Sequence, residues 1–392
     1  MPSSSRPPVI MTSEKGTFAR QTIEELKANI VDRVLADFDY TPQIRKDMLE
    51  LRASLTQGTI QPLQEKTSDK PIWDEDIQPW LGESWLAIPW LLAETYFYRR
   101  LLEAVQYFQP GPWREKDPYR KMKTTEILQA FPLFAKEHEN RQFKPTFEDF
   151  SISFHNALWG NRADLSNLQH FENDTDNHLH TVIRDDTQAV FDLIAKKPAN
   201  IAYFFDNIGR ELFFDLAFIH YLLESGLAQN ITFYLKNQPY FVSDAMPEDL
   251  DYILGVLESS STPETHKLAV DLLAWIKSGV ITVEAPPVLA TSREFHRLPD
   301  SLRRQLESFD IAILKGDANY RRLIGDWHWD PITPFEEAAA YFPTSVVSLR
   351  TTKAELVVGL SQEQFDDLQQ NAESDWMFNG ERGMISFMQK TK

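Results

Sequence analysis

The sequence predicts an α + α/β protein, in which a helical N-terminal domain precedes a three-layer αβα, Rossmann-like domain with a mainly parallel sheet. From about Gly16 to Lys196, apolar residues recur at spacings of three and four, which is the pattern of amphipathic helices. After Lys197, short β-rich runs alternate with helical patterns, as in parallel sheets covered by helices. We therefore expect a disordered tail over residues 1–16, a helical domain over 17–196 and an α/β domain over 197–392.

The helical segment contains one stretch that should be its buried centre. Residues 80–108 are aromatic-rich and apolar on several faces, so they do not fit a solvent-exposed helix. An acidic loop from Glu172 follows later and contains His178 and His180. These two histidines have the spacing of a possible metal site, but we interpret this segment as a solvated loop.

The α/β segment predicts the following elements, in which Gly226 and Gly279 act as C-terminal helix stops. The strands are expected near Ile201–Phe205, Ile231–Leu235, Val280–Val283, Asp310–Leu314 and Ser345–Leu349. The helices are expected near Gly209–Glu224, Pro247–Glu258 and Glu264–Lys277.

Composition restricts the possible partners. The chain of 392 residues has 58 acidic and 40 basic residues and a formal charge of −18, which disfavours nucleic acid and anionic membranes as partners. It has no cysteine, so a metal would need oxygen or nitrogen ligands. No secretory signal or membrane span is apparent, and we expect a cytoplasmic protein. The oligomeric state is not predicted.

Two acidic strand ends indicate a site for a hard divalent cation. Asp206 and Asn207 follow an apolar run directly, and Asp244 ends another such run before a helix. Ligands gather at the carboxyl ends of strands in open α/β sheets, and oxygen donors suit magnesium or manganese. Glu211 lies one turn beyond Asn207, where it could orient a ligand or a bound water. Taken singly, each junction is also an ordinary helix cap.

A third and a fourth strand end favour anion binding. The run that ends in Lys315 is followed by Gly316, Asp317, Ala318 and Asn319, where backbone N–H groups and an ammonium can converge on a phosphate. The last predicted strand is followed by Arg350 and Lys353 in the segment RTTK. In a chain of charge −18, cations at strand ends favour an anion site over scattered surface charge.

These segments resemble the damage-control phosphatase family, and in particular its subfamily III, which carries an Arg-Thr-x-Lys motif. The matching segments are PWLLAETYFYRR from Pro89, LWGNRADLS from Leu158, DNIGRE from Asp206, FVSD ending at Asp244, KGDANYRRLIGD from Lys315 and RTTK from Arg350. The resemblance covers roughly residues 85–383.

The resemblance implies a divalent metal on Asp206, Asn207 and Asp244, and phosphate contacts from Lys315, Asn319 and Lys353. Further predicted substrate-binding residues are Gly316, Asp317, Ala318, Glu211, Arg350 and Asn161, and the three metal ligands are also the predicted catalytic residues. One departure is Ile208, which stands where the family commonly has a small residue; we expect local repacking there.

The predicted function is therefore a metal-dependent phosphatase that hydrolyses small phosphorylated metabolites, with sugar phosphates such as fructose 1-phosphate implied by the resemblance. Mn, Ni, Co or Mg would suit the oxygen ligands. The attacking group would be a metal-activated water, or in a less favoured variant Asp206 itself. One alternative is an S-adenosylmethionine-dependent methyltransferase acting on protein glutamates, although the first predicted strand lacks the Gly-rich turn of such enzymes. A catalytically inactive binding protein is a third possibility.

Overall fold

The computed structural model describes residues 6–138, 144–160 and 182–391. The helices α1 to α8 precede the central part of the sheet, with a π-helix at Thr22–Leu26 between α1 and α2. They are α1 Phe18–Gln21, α2 Lys27–Asp37, α3 Pro42–Gln57, α4 Lys70–Ile77, α5 Trp90–Ala104, α6 Arg120–His138, α7 Phe147–Gly160 and α8 Thr187–Ile194.

The later helices alternate with strands. They are α9 Arg210–Glu224, α10 Pro247–Glu258, α11 Pro263–Ser278, α12 Asp300–Leu306, α13 Gly316–Ile324, α14 Phe335–Ala339 and α15 Gln362–Asn371. Short 3-10 turns lie at Gln78–Trp80, Trp85–Ala87, Pro287–Ala290 and Phe295–Arg297. The predicted boundaries of α10 coincide with the observed ones, and Gly279 ends α11 with a left-handed φ of 81°.

The described strands form one seven-stranded sheet of order β1-β7-β6-β5-β2-β3-β4. They are β1 Val182–Asp185, β2 Ala199–Phe204, β3 Ala228–Tyr234, β4 Ile281–Glu284, β5 Ile311–Lys315, β6 Ser345–Thr351 and β7 Gly383–Met388. Neighbouring strands are parallel except β6 and β7, which are antiparallel. This confirms the predicted fold class.

The two faces of the sheet carry separate cores because side chains alternate along each strand. Ile201 and Tyr203 of β2 belong to a core with α6 to α11. Ala202 and Phe204 of the same strand belong to a second core with α12 to α14. A third core lies among α2 to α5 and includes most of the aromatic stretch predicted to be buried.

Two parts of the chain differ from the sequence prediction. Strand β1 lies within residues 17–196, which were expected to be helical, and it pairs in parallel with β7. Residues 6–16 were assigned to a disordered tail, yet Ile10 is 2% exposed, and Val9 and Met11 form bridges with Trp327 and Pro89. Apolar residues in a polar, proline-rich segment therefore join both domains. Among the described residues, none of the helices combines the length and apolar composition needed to cross a membrane.

Candidate active site at the carboxyl ends of the central strands

A cavity of about 110 Å³ lies where the helical and α/β domains meet, beside the carboxyl ends of the central strands. The α/β domain lines it with residues that the sequence had singled out, namely Asp206, Asn207, Asp244, Asp317, Ala318 and Lys353. The helical domain contributes Lys27, Glu94 and the aromatic rings of Phe18, Trp90 and Tyr98. The structure therefore brings Asp206, Asn207 and Asp244 to the same cavity as the RTTK lysine.

Asp206 and Asp244 are joined through the backbone. Asp206 lies two residues beyond the end of β2, and its carbonyl oxygen accepts a hydrogen bond of 2.8 Å from the Ala245 N–H. The Ile208 N–H donates to the Ser243 carbonyl at 2.8 Å, and Asn207 and Asp244 form an isolated antiparallel bridge. These bonds hold the two loops side by side.

The segment before Asp244 is a turn and does not continue β3, which ends at Tyr234. Phe241 and Val242 adopt positive φ values of 46° and 69°. This backbone conformation is unfavourable for a β-branched residue, so it persists only where the surrounding structure imposes it. Here the turn returns Asp244 to Asn207 and places the Phe241 ring against the cavity.

Hydrogen bonds fix the orientation of the Asn207 amide. Its Nδ2 donates to Asp206 Oδ2 at 2.8 Å and to Glu211 Oε2 at 3.1 Å, while its Oδ1 accepts from Ser243 Oγ at 2.6 Å. Lys236 Nζ lies 3.0 Å from Asp244 Oδ2. Glu211 is 1% exposed and does not line the cavity, so it contacts Asn207 from the protein interior, which differs from its predicted place at the substrate.

The electrostatic environment of Asp206 favours a bound cation. Burial raises the pKa of its carboxyl well above the usual range, and the nearby Asp244 and Glu211 raise it further, against the opposite effects of Lys236 and Lys353. Two buried carboxylates and an amide form a set of oxygen donors that suits a hard divalent ion. A metal held by Asp206, Asn207 and Asp244 would relieve this crowding of negative charge.

Gly316 permits the close approach of β5 to this donor set. It has a φ of 77°, and an added Cβ would lie 1.8 Å from Asp206 Oδ2. Only glycine combines this backbone conformation with so short a distance. The start of α13 therefore packs directly against the Asp206 carboxylate.

Asp317, Ala318 and Lys353 form the neighbouring wall of the cavity. The Asp317 carboxylate forms an ion pair with Arg350, with Nη2 2.7 Å from Oδ1, and its Oδ1 accepts a hydrogen bond from the Lys353 N–H at 3.2 Å. The Lys353 side chain is partly buried and close enough to lower the pKa of Asp206 electrostatically. An ammonium and the first turn of a helix thus face the same cavity, an arrangement suited to an oxyanion.

The structure places three other predicted phosphate contacts outside the cavity lining. Lys315 is fully buried, and its Nζ donates to Asp215 Oδ1 at 2.7 Å, Glu211 Oε1 at 3.1 Å and the Ala157 carbonyl at 2.6 Å. Its three donors are therefore used within the protein. This differs from the prediction that Lys315 contacts the phosphate, because two carboxylates of α9 attract the ammonium beneath the sheet edge.

Asn319 and Arg350 likewise support the backbone around the cavity. Asn319 Nδ2 donates to the carbonyls of Phe205 and Lys315 at 3.1 and 2.8 Å. Arg350 is fully buried, pairs with Asp317, and lies 4.1 Å from the centre of the Tyr320 ring. Asn161, together with His178 and His180, lies outside the described residues. Ile208 is fully buried in the core beside α9.

Sequence reasoning missed the residues that the helical domain contributes. Lys27 and Glu94 are each 4% exposed, and Lys27 Nζ donates to Glu94 Oε1 at 2.6 Å. A signal was present for both. Lys27 follows Ile23 by four residues on an otherwise apolar helical stripe, and Glu94 interrupts the apolar run WLLAETYFY. A charge at a predicted buried position requires a partner, and it often marks a site.

A separate group of ligand-type side chains lies on the outer helices. His220, Glu224 and Asp271 bring their donor atoms within 4.8 Å of one another, which could hold a metal ion. However, the Lys267 ammonium already contacts Asp271 at 2.5 Å and Glu224 at 3.5 Å. A metal there would have to displace this lysine, so the donor set around Asp206 is the better candidate.

Comparisons with known proteins identify the family of this chain and relate its fold to a solved structure. A family model described as the damage-control phosphatase ARMT1-like domain matches residues 12–368. The chain is 30% identical to the damage-control phosphatase ARMT1 of Bos taurus over 371 residues, covering 85% of this chain and 83% of the relative. It is 29% identical to that of Homo sapiens, covering 97% and 94%. A crystal structure of a DUF89 family protein from Pyrococcus horikoshii shares the fold at a TM-score of 0.51 and 15% identity, covering 94% and 98% of the two chains.

Proposed function

We propose that this chain, which belongs to the damage-control phosphatase ARMT1-like family, hydrolyses small phosphorylated metabolites with the help of a divalent metal. The observation that carries the proposal is the meeting of Asp206, Asn207 and Asp244 with Lys353 and the start of α13 in one small cavity. Oxygen ligands on one wall and an anion site on the next are the parts that phosphoryl transfer to water requires.

The roles of the residues follow from their positions. Asp206, Asn207 and Asp244 would hold Mn, Ni, Co or Mg, and such a cation polarises a phosphoryl oxygen and lowers the pKa of a bound water. Lys353 and the N–H groups at the start of α13 would bind the other phosphoryl oxygens and stabilise the charge that develops in the transition state. Asp317 positions Lys353 through the bond to its backbone N–H.

The proposed substrates are sugar phosphates such as fructose 1-phosphate. The cavity of about 110 Å³ is partly enclosed by the helical domain, which favours a small metabolite over a protein side chain as the substrate. The substrate class and the metal both rest on the family and on the donor chemistry together.

The test is phosphate release from fructose 1-phosphate by the purified chain before and after metal removal. We expect EDTA treatment to abolish release and Mn, Co, Ni or Mg to restore it. Full activity of the metal-stripped protein would overturn the metal-dependent mechanism. Incubation with labelled S-adenosylmethionine and an acceptor protein, under the same conditions, would reveal the alternative methyl transfer.

A further inference from the structure

Lys27 and Glu94 form a pair in the wall of the cavity. They belong to α2 and α5 of the helical domain, whereas the candidate metal ligands belong to the α/β domain. Both side chains are 4% exposed. Burial by itself would raise the pKa of Glu94, but Lys27 and then Arg321 more than offset this effect, and its pKa is lowered. The pair is therefore ionic. Buried ion pairs rarely improve stability over apolar side chains of similar size. Stability alone therefore does not account for this pair, and its position in the cavity wall favours a binding role.

The Lys27 ammonium has donor capacity beyond its partner. An ammonium carries three N–H donors. Among the described residues, Lys27 donates a hydrogen bond to Glu94, while the rings of Tyr98 and Phe241 lie 5.0 and 5.8 Å from its Nζ. Aromatic faces attract the charge but do not accept its protons as an oxygen does. Two donors are thus available to a ligand in the cavity.

Glu94 supplies the complementary acceptors. Its Oε1 accepts from Lys27 and its Oε2 accepts from Arg321, each at 2.6 Å, which leaves capacity for further donors on both oxygens. Arg321 is held in turn by Asp326 at 2.8 Å and lies 3.7 Å from the centre of the Trp90 ring. The carboxylate is therefore fixed in orientation.

We infer that Lys27 and Glu94 form a hydroxyl-binding subsite that recognises the polyhydroxylated part of the substrate. An ammonium donor beside a carboxylate acceptor fits a pair of neighbouring hydroxyl groups, each of which both donates and accepts. The carboxylate would repel a second phosphate, so the subsite selects hydroxyls and disfavours another anion. Aromatic faces from Trp90 and Tyr98 would contact the C–H groups of the same molecule. This inference rests on the proposed phosphatase function, and it assigns the specificity for hydroxylated substrates to Lys27 and Glu94.

The test compares a hexose phosphate with n-hexyl phosphate, which has a phosphate ester on six carbons but no hydroxyl groups. The measured quantity is the ratio of kcat/KM for the two substrates with the metal-loaded full chain. Lys27→Met should lower this ratio about 10- to 100-fold, mainly by raising KM for the hexose phosphate, which is the range for losing a hydrogen bond to a charged group. Glu94→Gln should lower it in the same direction.

The matched control is Lys46→Met, because Lys46 forms an exposed pair with Glu50 in which both side chains are about two-thirds exposed, 65% and 66%. This variant should keep the wild-type ratio. Thermal melting identifies any variant that fails to fold; if Lys27→Met does so, the Glu94→Gln ratio decides. An unchanged ratio in a folded variant, or an equal fall for both substrates, would overturn the subsite while leaving the phosphatase proposal intact. A wild-type chain that hydrolyses neither ester would overturn both.

Discussion

Gly316 shows how one missing side chain shapes the candidate metal site. An alanine there would place its Cβ 1.8 Å from Asp206 Oδ2 and would also strain a backbone with φ of 77°. Since the carboxylate cannot stay in place, we predict that Gly316→Ala lowers kcat/KM by about 100-fold or more, the typical cost of a misplacement of about 1 Å. Phosphate release with added Mn would measure the effect.

Gly226 provides the control for backbone strain. Its φ of 74° is similar, but an added Cβ would meet nothing within 4 Å. Gly226→Ala should therefore have a backbone-strain cost similar to that of Gly316→Ala, about 1–2 kcal/mol in the free energy of unfolding. It should nevertheless retain wild-type activity. Equal activity losses in the two variants would argue that strain alone, and not contact with Asp206, makes Gly316 necessary.

The RTTK segment contains one fully buried cation and one cation that lines the cavity. Arg350 is fully buried on Asp317, whereas Lys353 lines the cavity. We predict that Lys353→Ala cuts kcat/KM for a sugar phosphate by about 100-fold with little change in Tm. Arg350→Met should instead lower the free energy of unfolding by about 3 kcal/mol, because it leaves a largely buried carboxylate without its arginine. The reverse pattern, with Lys353→Ala unstable and active, would remove Lys353 from the phosphate site.

Strand periodicity explains why Lys315 was assigned to the wrong surroundings. Ile311 and Ile313 of β5 point into the core that contains α9, and Lys315 follows them at the same spacing of two. Its side chain therefore points to the face of the sheet that packs against α9, where it forms ion pairs with Asp215 and Glu211. The predicted strand end at Leu314 lies one residue before the observed end at Lys315. The partner carboxylates, however, belong to a helix whose rotation about its axis no local pattern specifies.

The central strands were predictable, whereas the edge of the sheet was not. Strands β2, β3, β5 and β6 are rich in apolar residues and lie largely buried between helices, and such apolar segments are a strong signal. Strand β1 has only four residues, none of them fully buried, and so carries little pattern. Strand β7 is fully buried, but it follows a long irregular segment after α15 and returns antiparallel to β6, outside the alternating rhythm that predicted the others.

Edge strand β1 is joined to α7 by a titratable pair. His155 Nε2 lies 2.9 Å from Asp185 Oδ2, and His155 Nδ1 is 2.8 Å from the Ser151 carbonyl. Burial acts to lower the pKa of His155, but its bond to Asp185 raises it above 6.5 overall. Burial acts to raise the pKa of Asp185, but its bonds to His155 and Thr187 lower it from 3.8 to about 2.

The two shifts predict a pH window for this pair. The stabilisation from the raised histidine pKa is complete below 6.5 and is lost as the pH rises through the folded value. That from the lowered aspartate pKa is complete above 3.8 and is lost as the pH falls towards 2. The difference in free energy of unfolding between wild type and His155→Gln, measured by denaturant titration across pH, should therefore be largest between these limits. It should be modest, at about 1 kcal/mol or less, because Asp185 is 41% exposed. A difference that stays constant from pH 4 to 9 would contradict this.

The cavity depends on contributions from distant parts of the chain. Phe18 stacks on Phe378 at 4.6 Å between ring centres, and its N–H donates to Glu355 Oε2 at 3.0 Å. Lys27 and Glu94 complete the wall from α2 and α5. Residues at both ends of the sequence thus enclose one site, and no local motif predicts such an enclosure.

The same interdependence makes a prediction about the expected boundary at residue 197. A fragment of residues 197–392 lacks β1, α6 and α7, and with them the fully buried Ile127, Phe150 and Phe154 of the core beneath α9. Each such side chain contributes about 1.5–3 kcal/mol by burial, and together they approach the net stability of about 5–15 kcal/mol of a typical domain. We therefore expect this fragment to lack a cooperative thermal transition and a near-UV circular dichroism signal.

A fragment of residues 118–392 keeps α6, α7 and β1, and it should unfold cooperatively yet hydrolyse sugar phosphates poorly, because it lacks Lys27 and Glu94. Cooperative unfolding of the shorter fragment would instead support an autonomous domain that begins at residue 197.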